Sequence, residues 1–359
     1  MKIAFFVNTP AQAHLFIPIT KILKEKGHET IILARSYRET IDVLNGKGIN
    51  YILYTKSPKS KYTKILLSFP HDVLVSYKYL RRFKPDLVIG HSVDAVFTAQ
   101  LLKKPSIVFN DNDFAPIQFV IIIPFVNAII TPKCFKRDLG EKQIRVDSFK
   151  EIAYLHPDYF SPDKNILNLM NISPKEKFVL LRFNAFDAVH DTGTKGFSYK
   201  EKKELVTKLE KHAKIFISFE GMLPPDMAKY SLKIPKHRIH DVLYYAQMVV
   251  ADSNTIITES AVLGTPSIVA HPKVNQIGNF IELGEKNSLI FKYENTKEAI
   301  DKAVELIQQT NLKDEWKKKK DVFLKNKVNM IQFMVWFIEN YPQSFKEIKE
   351  KPDMQYKFK

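Results

Sequence analysis

The sequence predicts an α/β protein built from two doubly wound parallel-sheet (Rossmann-like) domains facing each other across a cleft. Three observations carry that reading. Short apolar, β-branched runs alternate with amphipathic helical stretches along most of the 359 residues, the pattern of parallel strands joined by right-handed crossovers. That length exceeds one ordinary domain and suits two of roughly 150–200 residues. The alternation lapses across residues 151–174, where Pro157, Pro162 and Pro174 stand among Asp and Asn as in a linker, and then restarts. The expected domains are residues 1–158 and 159–327.

In the first half, Lys2–Val7 is a buried strand, and residues 12–26 form a helix with Leu15, Ile19, Ile22 and Leu23 on one face, stopped by Gly27. Residues 30–34 form a strand, 37–47 a helix closed by Gly48, and 51–54 a strand. Residues 64–83 are helical through Leu66, Leu67, Val73, Leu74 and Leu80. A strand at 85–90, a helix at 94–103 and strands at Ser106–Phe109 and 127–131 complete this half. In the second half, strands are expected at 178–182, 214–218, Met248–Ala251, Ser267–Ala270 and 289–291. Helices are expected at 199–212, 240–246, 296–309, 313–326 and 330–340.

Composition narrows the function classes. A chain that is 45% hydrophobic and 26% charged is globular rather than disordered. Its net charge of +16, from 55 Lys and Arg against 39 Asp and Glu, points to an anionic partner. The single Cys134 excludes an internal disulfide and any Cys-rich metal site, and suits a reducing cytosol. The five apolar residues from Ile3 to Val7 are too few for a signal peptide. The most apolar stretch, residues 119–130, is broken by Pro124 and Asn127, whereas a transmembrane helix needs about 20 residues. There are no solenoid repeats and no Walker A motif.

The most informative stretch runs from Asp252 to Pro266, between two apolar runs. Ser253, Asn254 and Thr255 are small polar residues suited to a helix start. Ile256, Ile257, Ala261, Val262 and Leu263 recur at helical spacing, Gly264 stops the helix and Pro266 opens the next strand. Such a β-α-β unit offers free N–H groups and the positive end of the helix dipole, which bind phosphate. Glu259, about one turn in, can accept hydrogen bonds from sugar hydroxyls. The plainer reading is a helix capped by Ser253 or Asn254, with Glu259 solvated on its outer face.

With the early Pro10-Ala11-Gln12-Ala13-His14-Leu15-Phe16-Ile17-Pro18, the run from Glu151 to Pro157, the segment from Arg182 to Asp191 and the run from His240 to Ala246, this stretch resembles the glycosyltransferase-B (GT-B) superfamily over nearly the whole chain. More narrowly, it is similar to the UDP-N-acetylglucosamine 2-epimerases and the lipid-intermediate glycosyltransferases, and to a prokaryotic family known only as a domain of unknown function. The resemblance implies the GT-B arrangement, with a C-terminal helical segment (328–359) crossing back onto the first domain. It implies a UDP-linked nucleotide-sugar as substrate, no cofactor, and a glycan or lipid-linked acceptor. Ser253, Asn254 and Thr255 stand where the superfamily sets small residues against a nucleotide diphosphate, Asn254 and Thr255 replacing the glycines usual in the epimerases. Glu259 matches the carboxylate that holds the ribose hydroxyls. The expected activity is a glycosyltransferase; the alternatives are a UDP-sugar 2-epimerase and a non-catalytic nucleotide-sugar-binding protein of surface-polysaccharide assembly.

Further candidates lie elsewhere. Many superfamily transferases carry a His near His14 as base or orienter; the plain alternative is a His capping its helix. Asp111 and Asp113 follow the strand Ser106–Phe109, and ligands of doubly wound sheets bind at strand carboxyl ends. Either carboxylate is a candidate base or stabiliser of an oxocarbenium-like centre. The Asp111-Asn112-Asp113 spelling matches a metal pattern of another glycosyltransferase fold, but the B-type strand order leads us to expect no metal. His91-Ser92-Val93-Asp94 stands where the epimerases carry His-Gly-Asp, with its Asp one place late.

The segment from Arg182 to Lys195 adds His190 and Asp191; its Arg182 and Lys195 can neutralise phosphates, and the competing reading is a hydrogen-bonded surface turn. Between Lys56 and Lys84, eight Lys and Arg stand against Asp72 alone, with Phe69, Tyr77 and Tyr79 interleaved. That run suits peripheral contact with an anionic membrane, or is a solvated face. No nucleic-acid-binding signature accompanies the charge. The expected location is cytoplasmic, either in solution or at most peripheral on the inner face of the membrane.

Overall fold

The computed structural model describes residues 1–56, 69–184, 196–219 and 221–359. They form two compact units, Met1–Tyr154 with Lys327–Lys359, and Leu155–Asn326.

The first unit is a seven-stranded sheet of β1 (Lys2–Val7), β2 (Glu29–Ser36), β3 (Ile52–Lys56), β4 (Leu87–Gly90), β5 (Ser106–Phe109), β6 (Ala128–Pro132) and β7 (Gln143–Val146), in the order β3-β2-β1-β4-β5-β6-β7. Every neighbouring pair is parallel. The connecting helices are α1 (Pro10–Glu25), α2 (Thr40–Gly46), α3 (Phe69–Phe83), α4 (Val93–Leu101), α5 (Pro116–Ile122) and α6 (Lys150–Leu155). Strands covered on both faces must be apolar throughout, and β4, β5 and β6 are buried along their whole length. The chain winds from β1 to β2 and β3 on one side, then returns to β4 on the other, so the order reverses between β1 and β4. There, the turn from β4 into α4 needs Gly90: a Cβ would lie 2.8 Å from that of Ala95 and 3.1 Å from that of Phe6.

The second unit holds β8 (Phe178–Phe183), β9 (Lys214–Phe219), β10 (Met248–Ala251), β11 (Ser267–Ala270) and β12 (Ile290–Tyr293), in the order β12-β11-β10-β8-β9 and again all parallel. Its order reverses between β8 and β10. Its helices include α7 (Asn165–Leu169), α8 (Tyr199–Leu209), α9 (Ile239–Tyr245), α10 (Asn254–Leu263), α11 (Thr296–Ile307) and α12 (Leu312–Lys325). Reciprocal bonds between Ser198 and Glu201 start α8, a capping box. Gly264 ends α10 at φ +75°, and the next amide, of Thr265, returns to the Ser260 carbonyl at 2.8 Å. Buried Trp316 fixes α12 by donating its Nε1–H to the Leu289 carbonyl at 2.6 Å.

The chain then returns to the first unit as α13 (Met330–Glu339) and α14 (Gln343–Glu350). Glu339 ties α13 down by accepting from Lys26 Nζ at 2.6 Å and pairing with His28 Nε2 at 3.0 Å. Several elements, α5 and α14 among them, depart from the sequence reading. β7 was not expected, because its four residues alternate Gln143 and Arg145 with Ile144 and Val146 and form no continuous apolar run; the buried Gln143 side chain donates to Thr131 Oγ1 at 2.9 Å. The expected linker carries α6 and α7. Among the described residues, no helix is long and apolar enough to cross a membrane.

Candidate functional site

The second unit is built around its switch point, where β8 and β10 diverge. The Asn184 amide donates to Asp252 Oδ1 at 2.7 Å, and the Asn184 side chain returns a bond to the Asp252 carbonyl at 3.1 Å. Asp252 is buried, and no partner reaches its Oδ2 among the described residues. Burial lifts this carboxyl to about 7, against the Asn184 amide and the Lys202 charge. Lys202 lies over the rings of Phe183 and Phe219, 5.0 and 4.8 Å from their centroids. Beside it, Arg182 Nη1 donates to Ser218 Oγ at 2.6 Å.

Directly after Asp252, Ser253 takes the N-cap position of α10 in extended conformation (φ −118°, ψ 129°), but its side chain caps nothing. Ser253 is buried, Thr255 half-buried and Asn254 exposed. Among the described residues nothing accepts from the amides of Asn254, Thr255 and Ile256, so this ten-residue helix opens on free N–H groups. The capped-helix alternative therefore fails at Ser253.

Glu259 is buried rather than solvated, and its Oε1 pairs with His240 Nε2 at 3.0 Å. His240 comes from α9, where Phe160 meets its ring edge to face at 6.1 Å. The His240 bond orients the Glu259 carboxylate on the inner side of α10. The turn after α10 is pinned by half-buried Lys313, which donates to Thr265 Oγ1 at 2.7 Å and to the Tyr244 carbonyl at 2.8 Å. Its burial, with Lys320 nearby, holds the Lys313 amine down to about 7.

The carboxyl edge of the first sheet is furnished with paired charges. Asn8 donates to Ser92 Oγ at 2.9 Å and to Asp94 at 3.3 and 3.4 Å, bridging β1 and β4. Arg35 bridges Asp72 and Asp94 at 3.1 and 3.3 Å, and Tyr54 donates to Asp94 and Asn8. The aspartate of the His91-Ser92-Val93-Asp94 run thus faces Arg35.

Further along the edge, Asp111 is ion-paired with Lys150 of α6, next to His91. Burial raises the Asp111 carboxyl, but Lys150 and His91 outweigh it, so it titrates below the usual aspartate value. Burial holds the His91 imidazole down to about 4, and its Nε2 has no partner among the described residues. A carboxylate so stabilised is a weaker base than an ordinary aspartate, and Asp111 suits electrostatic stabilisation better than proton abstraction.

Asp113 plays a different part, its Oδ1 accepting the Lys136 amide at 2.9 Å. Asn110 and Asn112 accept the amides of Asn112 and Phe114, so the Asp-Asn-Asp spelling builds consecutive local turns. Among the described residues no group of three His, Cys, Asp or Glu side chains is arranged to hold a metal.

His14 lies inside α1, buried, with its ring 5.4 Å from that of Tyr154. It does not cap the helix; Thr9 does, accepting the Gln12 amide at 3.3 Å. Ser253, Asn254, Thr255 and Glu259 thus share one helix, with Arg182 on the strand beside it, whereas Asp111 and Asp113 share a loop but serve different partners. His190, Asp191 and Lys195 lie outside the described residues. Sequence reasoning gave no role to Asn184, Lys150, Asp252 or His240. Each has its partner remote in the chain, so no local spacing pairs them.

A model of the family described as a protein of unknown function (DUF354) matches residues 2–339. The chain belongs to the DUF354 family. This DUF354 protein is 22% identical over 280 residues to an uncharacterized protein of Methanocaldococcus jannaschii, across 74% of this chain and 80% of that one. Among solved structures it resembles the S. aureus MnaA–UDP co-structure, with TM-score 0.65 and 14% identity over 96% of this chain and 97% of that chain. It also resembles the UDP-GlcNAc 2-epimerase of Neisseria meningitidis bound to UDP-GlcNAc, with TM-score 0.60 and 16% identity over 98% and 99% of the two chains. A third likeness is to SsfS6, a glycosyltransferase of Streptomyces sp. SF2575, with TM-score 0.55 and 12% identity over 95% and 100%. The DUF354 chain therefore has the fold that GT-B glycosyltransferases and UDP-GlcNAc 2-epimerases share: two parallel-sheet α/β units, of seven and five strands.

Proposed function

We propose that this protein is a glycosyltransferase that moves a sugar from a UDP-linked donor to a glycan or lipid-linked acceptor. The observation that carries the reading is the open start of α10: free amides at Asn254, Thr255 and Ile256, with Glu259 held by His240 one turn later. The amides take the diphosphate, Glu259 the ribose hydroxyls, and Arg182 adds positive charge at the end of β8. His190, Asp191 and Lys195 belong to the same proposed donor site. In the first unit, His14 is the candidate base for the acceptor hydroxyl, and Asp111, paired with Lys150, is the second catalytic candidate. Asp113 supports the fold of that edge. No metal or cofactor enters the scheme. A lipid-linked acceptor would bring the protein to an anionic membrane face inside the cell.

A second reading, UDP-sugar 2-epimerase, is favoured by the fold likeness to enzymes of that name, one of them bound to UDP-GlcNAc. Incubation with UDP-N-acetylglucosamine in deuterated water separates the two: label at the second sugar carbon without an acceptor identifies the epimerase. For either reading, calorimetry should show saturable UDP binding that Glu259→Ala weakens at least about tenfold with the fold intact. Equal affinity in the variant would remove the nucleotide assignment.

A further inference from the structure

Helices α3, α4 and α5 follow one another over one face of the first sheet, linked by ring contacts from Phe69 to Phe97 (5.4 Å) and from Phe97 to Phe125 (5.1 Å). Their outer surface has an unusual composition. α5 carries no charged residue, yet Ile117 and Val120 are 73% and 74% exposed, and Ile121 and the neighbouring Phe125 are exposed as well. A helix of a globular protein ordinarily turns such side chains inward. The only acids in the three helices, Asp72 and Asp94, are buried and ion-paired with Arg35. The charges that α3 exposes are therefore basic: Lys78, Arg81 and Arg82. At the far end, Lys142 donates to the carbonyls of Ile123 and Pro124 at 2.7 and 3.2 Å, adding a cation at the foot of α5.

We propose that this face docks on an anionic lipid bilayer, with α5 entering the headgroup boundary and the cations of α3 resting on the lipid phosphates. That boundary accepts apolar side chains and cations together. A second copy of this chain would instead set one basic face against another in a protein of net charge +16. Of the basic run noted in the sequence, Lys78, Arg81 and Arg82 belong to this surface, and Lys59, Lys61 and Lys64 lie outside the described residues. The apolar half of the surface lies some 40 residues on in the chain, from Ile117 to Phe125. The proposal deepens the lipid-linked part of the reading above by naming the docking surface, and rests on that reading only for the purpose of the contact.

The test is flotation with phosphatidylcholine vesicles, with and without phosphatidylglycerol. Wild-type protein should float with the anionic vesicles only. Ile117→Ser with Val120→Ser, or Arg81→Glu with Arg82→Glu, should each weaken binding at least about tenfold. Lys317→Glu with Lys318→Glu, which makes the same charge change on exposed α12 residues of the second unit, should keep it within about twofold. No binding to the anionic vesicles, or an equal loss in the α12 control, would overturn the assignment. So would a dimer seen by light scattering that the Ile117/Val120 variant dissolves, which would give the face to a second copy. UDP calorimetry on the same variants keeps the two proposals apart, since a missing nucleotide site leaves the vesicle result untouched.

Discussion

At the switch point of the first sheet Asn8 reaches across to Ser92 and Asp94; at that of the second, Asn184 reaches across to Asp252. The two frames correspond, but their charges are provided for differently. Asp94 shares Arg35 with Asp72 and receives Tyr54, so its charge is met by partners within the first unit. Asp252 has no cation within hydrogen-bond reach among the described residues, and burial lifts its carboxyl to about 7. Near neutral pH it is therefore partly protonated, next to the free amides of α10. A fixed negative charge there would repel a diphosphate, and a half-neutral acid repels it less. The contrast teaches that the first edge sets its buried aspartates against a cation, while the second leaves Asp252 without one beside an open helix start.

The largest effect is expected from breaking the first edge. Arg35→Met strands two buried carboxylates and should cost up to about 5 kcal/mol in urea unfolding; a loss below about 1 kcal/mol would mean the pairs are solvated.

The second edge is read by pH. The Asp252 value is raised from 3.8 to about 7, so folding binds a proton between those limits. The stability this supplies is full below about pH 4 and falls by roughly 4 kcal/mol as pH rises to 7. His91, in the first unit, is lowered from 6.5 to about 4. Its contribution is full above about pH 6.5 and is lost, by up to about 3 kcal/mol, as pH falls through 4. The two slopes oppose one another, and Lys313, held at about 7, titrates in the folded protein above that window. Asp252→Asn keeps an acceptor for the Asn184 amide and removes the falling limb. Its stability should therefore rise with pH between about 4 and 6.5 where the wild type stays nearly flat; identical profiles would place the Asp252 carboxyl in water.

The smallest effect concerns His240. His240→Ala should weaken UDP binding about tenfold by freeing Glu259, and His240→Gln should recover most of it with the thermal midpoint unchanged. A loss equal in both variants would argue against an orienting bond.

Much of the fold was legible because parallel strands buried on both faces announce themselves as short apolar runs. Ser106–Phe109, Met248–Ala251 and Ser267–Ala270 fall where those runs predict strands. β7 escaped because Gln143 and Arg145 break its four residues into no continuous apolar run, and α5 because an apolar run with its side chains outward has no amphipathic period. In the site, the start of α10 was legible from local residue types. The state of Glu259, Asp111 and Asp94 was not, since His240, Lys150 and Arg35 lie 19, 39 and 59 residues away in the chain.

The central claim is that the amides opening α10 hold the nucleotide diphosphate. Amide-resolved NMR during a UDP titration tests it most directly. The account predicts saturable shifts largest at Asn254, Thr255 and Ile256, smaller at Glu259, and absent along α5. Saturable UDP binding that leaves the three amides unmoved would contradict it.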